Sequence, residues 1–347
     1  MTISKFSVVK RERELFNENI KEQFLTEQYE NEESRNIVRY TFFNASPLEF
    51  TKNKDLYDFT KDEVIELIYN SSPKSAQVAS NISSLVRTYH KWANEKYLRE
   101  SNLAVLDVED LSFYDRFVDH SLKQFISKNE MLDMMSKLVN THDRALLYLL
   151  FTGVYGYQLS EIRNLTIDDV NLETCELTLT DDKKGQRKIV VDKDLIELLV
   201  ETDNDLLYLT NNGVSFNKKV KERQLQESKY IIKPAITLHN RSDAKCSQPT
   251  IINRIDGIRE FFDLPNLKPK TINRSGMLYM ANNFRLQREN DELTKDDYEE
   301  IGDRYNWSKH KNGKSETYNY THYVNSFLND RNMDELYGTI ESQRHSD

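Results

Sequence analysis

The sequence predicts a mainly α-helical chain of two domains, with a small β-sheet or hairpin in the second. Three observations lead there. Nine glycines and six prolines among 347 residues fall well below the average usage of roughly one in eight. Apolar residues recur at helical spacing through most of the chain. The length suits two units of about 150 residues each, and 38% hydrophobic with 11% aromatic residues can fill two cores.

Residues 10 to 40 read as one charged helix, and a polar, Pro-containing stretch from Asn44 to Asp55 separates it from a helix starting at Thr60. Thr60 with Glu63 forms a capping box. The next helix places Val78, Ile82, Leu85, Val86, Tyr89 and Ala93 on an apolar face. Lys74, Gln77, Asn81, Ser84, Thr88 and Lys91 form a polar stripe at the same period, and Arg87 borders it. A less regular stretch then marks the boundary, placing one domain at 1–115 and the other at 116–347. Ser127 with Glu130 is a second capping box, before a helix whose Met131, Met134, Met135 and Leu138 face inward as core rather than as ligands. A helix through Ala145 to Leu150 and a short one from Ser160 to Leu165 follow. Glu176 to Thr180 and Lys188 to Val191 are β-rich runs flanking a basic turn, Asp181 to Arg187. Helices are expected from Asp194 to the end.

The longest apolar run, Ala145 to Phe151, is far shorter than the roughly 18 residues of a membrane span. No apolar leader opens the chain, so a cytoplasmic protein is expected, with no membrane partner. Cys175 and Cys246 are too few and too distant for a disulfide framework or a thiolate metal site. Gly-rich phosphate loops, paired metal-binding histidines and nucleophile elbows do not occur, so neither cofactor nor metal is expected.

The net charge of −9, from 57 acidic and 48 basic side chains, argues at face value against a polyanionic partner. Its distribution argues otherwise. Lys218 to Lys245 carries eight basic against three acidic residues, and Lys268 to Arg288 five basic and none acidic. The turn Lys183 to Lys188 holds four basic residues, whereas Glu289 to Asp303 holds eight acids and one lysine. Screening over about 8 Å lets such local patches outweigh a distant total.

An ordered series of motifs carries the chemistry: TGVYGYQLSEIRNLTIDDVNLE from Thr152, LTLTDDKKGQRKIVV from Leu177, LKPKTINRSG from Leu267, DRYNW from Asp303 and ETYNYTHYV from Glu316. Together they resemble the catalytic domain of the tyrosine recombinases, the phage integrase family. Residues 75 to 102 resemble the last helix of that family's core-binding domain. The resemblance implies a two-domain recombinase fold and a double-stranded DNA partner. In the family a tyrosine hydroxyl attacks a DNA phosphate, arginines with a His or Trp stabilise the developing charge, and a hairpin lysine protonates the leaving oxygen.

Residue by residue, Tyr320 in Tyr320-Thr321-His322 matches the nucleophile, with Tyr318 a weaker candidate. Lys184 matches the acid, with Lys183 second. Arg274 matches the second arginine and Trp307 the His or Trp position. Two positions depart. Gln158 stands where the first arginine belongs, two residues before Ser160, after the extra residues Tyr155 to Tyr157; Thr271 replaces the histidine before Arg274. Losing one charge-stabilising donor typically costs about 100- to 1000-fold in rate, and Arg163 is a shifted substitute at best.

The catalytic set Gln158, Lys184, Thr271, Arg274, Trp307 and Tyr320 therefore reads as vestigial. The resemblance implies a sequence-specific DNA-binding protein without strand cleavage, a repressor of prophage lytic genes. The alternatives are a divergent active integrase using Tyr320, and a remnant with a purely structural role. Expected DNA contacts are Lys74, Gln77, Asn81, Arg87 and Lys91 in the first domain, and Lys183, Lys184, Arg187, Lys188 and Arg274 in the second. The tail 325–347 offers Val324, Phe327, Leu328, Leu336, Tyr337 and Ile340 beside and within it for self-association on DNA. A peptide or small-protein antirepressor is conceivable but carries no sequence signature.

Overall fold

Two helices open the chain where one was expected, α1 (Glu18–Gln28) and α2 (Glu32–Lys52). The break lies at Tyr29, whose backbone is extended, and Asn31 restarts the helix by accepting a hydrogen bond from the Ser34 amide. The protein is described from a computed structural model covering residues 14–73, 75–96, 98–99, 109–118, 123–214, 221–236, 244–288, 291–312 and 315–344. Lys74, Lys218, Lys219 and Arg241 lie outside the described residues. Helix α2 runs straight through Pro47, correcting the expected loop. An internal proline costs a helix about 3 kcal/mol, but Phe42, Ala45, Ser46 and Glu49 of α2 are buried and hold it in place.

The chain divides into two compact units, Met1–Ser121 and Leu122–Asp347. The first is helical, completed by α3 (Lys61–Asn70), α4 (Ala76–Glu95) and α5 (Leu111–Asp115). Its Thr60–Glu63 capping box is formed. The core is aromatic: Phe24 meets Tyr89 at 4.9 Å and Trp92 at 5.4 Å between ring centroids, both edge-on. Within it Lys21, fully buried, donates to Glu49 at 2.7 Å and to Asp55 at 3.4 Å. Helix α4 buries Val86, Tyr89 and Ala93 and packs Ile82 and Leu85 against the core, as expected, and departs from expectation at three positions. Val78 is 43% exposed, and Ser83 and His90 lie inside because the Tyr114 hydroxyl and the Leu56 carbonyl satisfy them.

In the second unit α6 (Lys128–Lys137) starts at the Ser127–Glu130 capping box, and α7 (Thr141–Phe151) is buried along its whole length. Helix α8 is Ser160–Asn164. Strands β1 (Val170–Asn171), β2 (Glu176–Asp181) and β3 (Gly185–Val190) form one antiparallel sheet, with Leu177 opposite Ile189, Leu179 opposite Arg187 and Asp181 opposite Gly185. The turn is thus shorter than Asp181 to Arg187: Asp181 and Gly185 to Arg187 belong to the strands, and Lys188 lies in β3 as expected. Helix α9 (Lys193–Asn204) follows. The expected all-helical remainder is interrupted twice, by β4 (Leu207–Leu209) paired with β5 (Glu222–Gln224), and by β6 (Lys309–Asn312) paired with β7 (Ser315–Tyr318). These strands are too short to show an alternating pattern.

Between those pairs lie α10 (Gln248–Phe261), α11 (Pro269–Gln287) and α12 (Lys295–Arg304). Helix α11 crosses α7 in close contact at Gly276, where a Cβ would fall 1.7 Å from the Phe151 carbonyl oxygen. The Asn273 amide and the Tyr305 hydroxyl donate to the carbonyls of Leu150 and Phe151 there.

The tail forms α13 (Tyr320–Ser326), α14 (Asp330–Tyr337) and α15 (Ile340–Arg344). Phe327, Leu328, Met333 and Ile340 are buried in their own chain. Arg285 pairs with Asp334 at 3.2 Å, Arg344 with Asp291 at 2.6 Å, and Asn282 bonds Gln343 at 2.9 Å. This corrects the expected self-association surface, whose principal apolar groups are spent in cis. Among the described residues no helix is long and apolar enough to cross a membrane.

Candidate functional site

Helix α11 supplies the central cation. Thr271 sits in its first turn, where its hydroxyl donates to Asn266 O at 2.7 Å and accepts from the Lys268 amide at 2.9 Å. That hydroxyl is committed to shaping the helix start and does not stand in for an imidazole. One turn on, the Arg274 guanidinium lies over the Phe327 ring, 4.4 Å from its centroid. It has no hydrogen bond or ion pair among the described residues. Burial holds it below its ordinary pKa, offset by the phenols of Tyr323 and Tyr155. Burial and Arg274 likewise lower Lys270.

The hairpin divides its four basic side chains between two uses. Lys184 extends to the Asn306 carbonyl at 2.5 Å, beside Trp307, and burial lowers its pKa. Lys183 lies over the Tyr157 ring at 3.6 Å, and the exposed Lys188 pairs with Glu176 at 2.7 Å. Arg187 turns inward. It grips the buried Glu161 with Nε–Oε1 at 2.6 Å and Nη2–Oε2 at 2.8 Å. Its remaining donors reach Gly153 O at 2.8 Å and Arg304 O at 2.7 Å. A guanidinium has five N–H donors in a rigid fork, and here both ends are occupied by protein. The expected phosphate contact by Arg187 is therefore corrected to a structural latch.

The extra residues 155 to 157 reshape the loop before α8. Gly156 takes φ +71°, and a Cβ there would lie 2.6 Å from Ser160 Oγ. Gln158 and Leu159 both adopt left-handed backbone, an uncommon state for side-chain-bearing residues. Gln158 is exposed, and its amide donates to the Tyr157 hydroxyl at 3.3 Å. Arg163 is turned back to the Gln158 carbonyl at 3.2 Å and towards Asp182 at 3.9 Å. Its Nε is buried and keeps no hydrogen-bond partner among the described residues.

At the C-terminal side Trp307 is buried and its Nε1–H has no partner among the described residues. Tyr323 stacks on it, with centroids 3.7 Å apart and planes 3° from parallel. Tyr320 instead stacks on Tyr298 of α12 at 4.8 Å. Tyr318 donates to Asp303, and burial followed by that bond pushes its pKa up to about 12. The residues that face Arg274 electrostatically are thus Tyr323 and Tyr155, neither foreseen from the motif. Their signals were faint: Tyr323 lies one helical turn beyond Tyr320, and Tyr155 lies within the insertion. Arg274 and the Trp307 indole are linked through the Phe327 and Tyr323 rings.

In the first unit α4 presents Gln77, Asn81, Ser84, Thr88 and Lys91 along a partly exposed face, and Glu95 is the single acid of the helix. Gln77 bonds Asn81 at 3.0 Å, and Arg87 donates to Ser84 at 2.9 Å. The basic segments are partly spent. Lys233 is buried against Asp203 at 2.8 Å, and Arg288 pairs with Asp297 at 2.6 Å. Lys221 and Arg223 remain exposed.

A helical unit followed by a unit with a β-hairpin lysine, an arginine stacked on Phe327, an indole and C-terminal tyrosines is of the tyrosine-recombinase type. Family models described as "MrpR, N-terminal core-binding domain" and "MrpR, C-terminal catalytic domain" match residues 15–95 and 125–338. The chain belongs to this MrpR family of the tyrosine recombinases. It is similar to the SPbeta prophage-derived uncharacterized protein YopR of Bacillus subtilis, 33% identical over 280 residues, covering 79% of this chain and 83% of that one. Similarity to tyrosine recombinase XerA of Pyrococcus horikoshii is 24% over 185 residues, 52% of this chain and 59% of that one. Among solved structures, XerA recombinase matches at 14% identity and TM-score 0.39, covering 92% of this chain and 96% of that chain. A lambda integrase dimer bound to a COC' core site matches at 11% and 0.46, covering 87% and 82%.

Proposed function

We propose that the protein is a sequence-specific double-stranded DNA-binding protein that keeps the recombinase architecture for recognition and has lost strand cleavage. It acts as a prophage repressor that maintains lysogeny. The observation that carries this reading is the latch: Gln158 is neutral and exposed, and Arg187, the guanidinium nearest in the hairpin, is saturated by Glu161 and two carbonyls. A pentavalent phosphate would then lack one arm of its charge clamp, while Arg274 and Trp307 still suit a ground-state phosphate. The name of the Bacillus subtilis relative supports a prophage origin. The acid-poor face of α4 supports base-edge or phosphate contact through Gln77, Asn81 and Lys91.

A divergent integrase is the second reading, favoured by the unpartnered Arg274 and Trp307 Nε1. A nicked suicide duplex separates the two. The repressor reading expects saturable binding to an operator-bearing duplex with no covalent adduct. An adduct abolished by Tyr320→Phe would establish cleavage. Absence of binding to both operator and random duplexes at physiological salt would reject both readings.

A further inference from the structure

A second cavity lies in the second unit, away from Arg274. Its volume is about 380 Å³, and α10 forms its floor with Arg254, Gly257, Ile258 and Phe261. Leu138, Asp143, Tyr208 and the turn Asn211 to Val214 complete the wall. Such a size is within the range of small-ligand sites.

The polar groups here are of unusual quality. Arg254 is only 7% exposed, and its Nη1 has no hydrogen-bond partner among the described residues. Its Nη2 donates to the Lys233 carbonyl at 2.6 Å, and its guanidinium lies 4.7 Å from the centre of the Tyr208 ring. The ring attracts the cation but does not replace the missing hydrogen bond. Asp143, also on the cavity, is 3% exposed and accepts from Asn140 and the Tyr208 hydroxyl rather than from Arg254. Burial pushes its carboxyl up to about 6 although Arg254 draws it down. A buried cation and a buried anion therefore line one cavity without pairing with each other. Buried charges persist where they are paired or otherwise compensated, and a guest carrying both charges would compensate both.

We infer that this cavity binds a small zwitterion with an aliphatic body, a free α-amino acid of the leucine type. Its carboxylate would take Arg254 Nη1, its ammonium would lie by Asp143, and Leu138, Ile258 and Phe261 would cover its side chain. Tyr208 is paired across the β4–β5 ladder with the exposed Arg223.

Gly257 provides the test. A Cβ added there meets nothing within 4 Å, so Gly257→Leu fills the cavity without displacing backbone. Calorimetric titration of the full chain with L-leucine should give saturable one-to-one binding and a raised melting temperature. 4-Methylpentanoate and 3-methylbutylamine, each keeping one charge, should bind at least ten-fold more weakly. Gly257→Leu should melt as the parent does and lose leucine binding, and Gly257→Ala should retain it. Asp143→Asn should weaken leucine at least ten-fold while leaving 4-methylpentanoate unchanged. No binding of leucine by the parent chain, or unchanged binding by a folded Gly257→Leu, overturns the inference. Equal affinity for leucine and 4-methylpentanoate overturns the zwitterion.

Discussion

Arg187 shows how a single side chain can change meaning between sequence and structure. In the sequence it is one of four cations around a turn; in the fold it faces Leu179 across the hairpin and reaches the fully buried Glu161. Register decides this, and register was not legible because the turn was placed too long. Removing one partner of a buried pair leaves an uncompensated charge at a cost of about 3 to 5 kcal/mol. Arg187→Met should therefore lower the melting temperature strongly while leaving the salt dependence of DNA binding unchanged. Arg274→Gln should do the reverse. It removes a cation that pairs with no carboxylate, so affinity should fall alike for operator and random duplexes, and the slope of log affinity against log salt should shrink by about one. Filter binding from 50 to 200 mM salt measures it. The motif located Arg274, Trp307 and Lys184, because those positions are fixed by order along the chain. Tyr323 and Tyr155 were not legible, since only the packing of α13 and the inserted loop brings them to Arg274.

At the scale of elements, capping chemistry was the most legible signal. Both capping boxes form where Thr60, Glu63, Ser127 and Glu130 place them. The path of α2 through Pro47 was illegible because tertiary burial overrode a local breaker. The tail is the element whose role shifted most. Its apolar residues suit a neighbour as well as their own chain, and sequence periodicity does not choose between them. In the fold they cover α11, with the Phe327 ring centroid 4.4 Å from the Arg274 guanidinium and 6.0 Å from that of Phe125. Truncation after Ser326 should thus destabilise the second unit, by several kcal/mol for the buried side chains removed. A chain that keeps its melting temperature on truncation, and loses oligomers in light scattering instead, would restore the self-association reading.

For the whole molecule, composition predicted the helical, two-unit architecture, and the charge ledger needed the structure. Acids after residue 288 do not merely offset basic segments at a distance: Asp291 and Asp297 pair directly with Arg344 and Arg288. Each unit also holds a neutral histidine. Burial, then Arg99, lowers His90 to about 4; burial, then Arg254, lowers His142 to about 3. The unfolded chain takes up these protons as pH falls through 6.5, and the folded chain resists until far lower, so their contribution is present above 6.5 and lost on acidification. Glu49 and Asp143, raised by burial, act in the opposite sense. The clean observable is a difference: melting temperature should fall less steeply between pH 6.5 and 4 in His142→Gln than in the parent chain.

The Arg187–Glu161 grip also bears on evolutionary reversibility. Restoring arginine at 158 would place it on an exposed, left-handed turn, while both oxygens of Glu161 are already taken by Arg187. Gln158→Arg alone should therefore give no covalent adduct on a nicked duplex, even where binding tightens. If cleavage is lost as proposed, regaining it would require the hairpin to release Arg187, and that step passes through a less stable protein. On the proposed reading, the Arg187–Glu161 ion pair would act as the pawl of a ratchet against regaining cleavage.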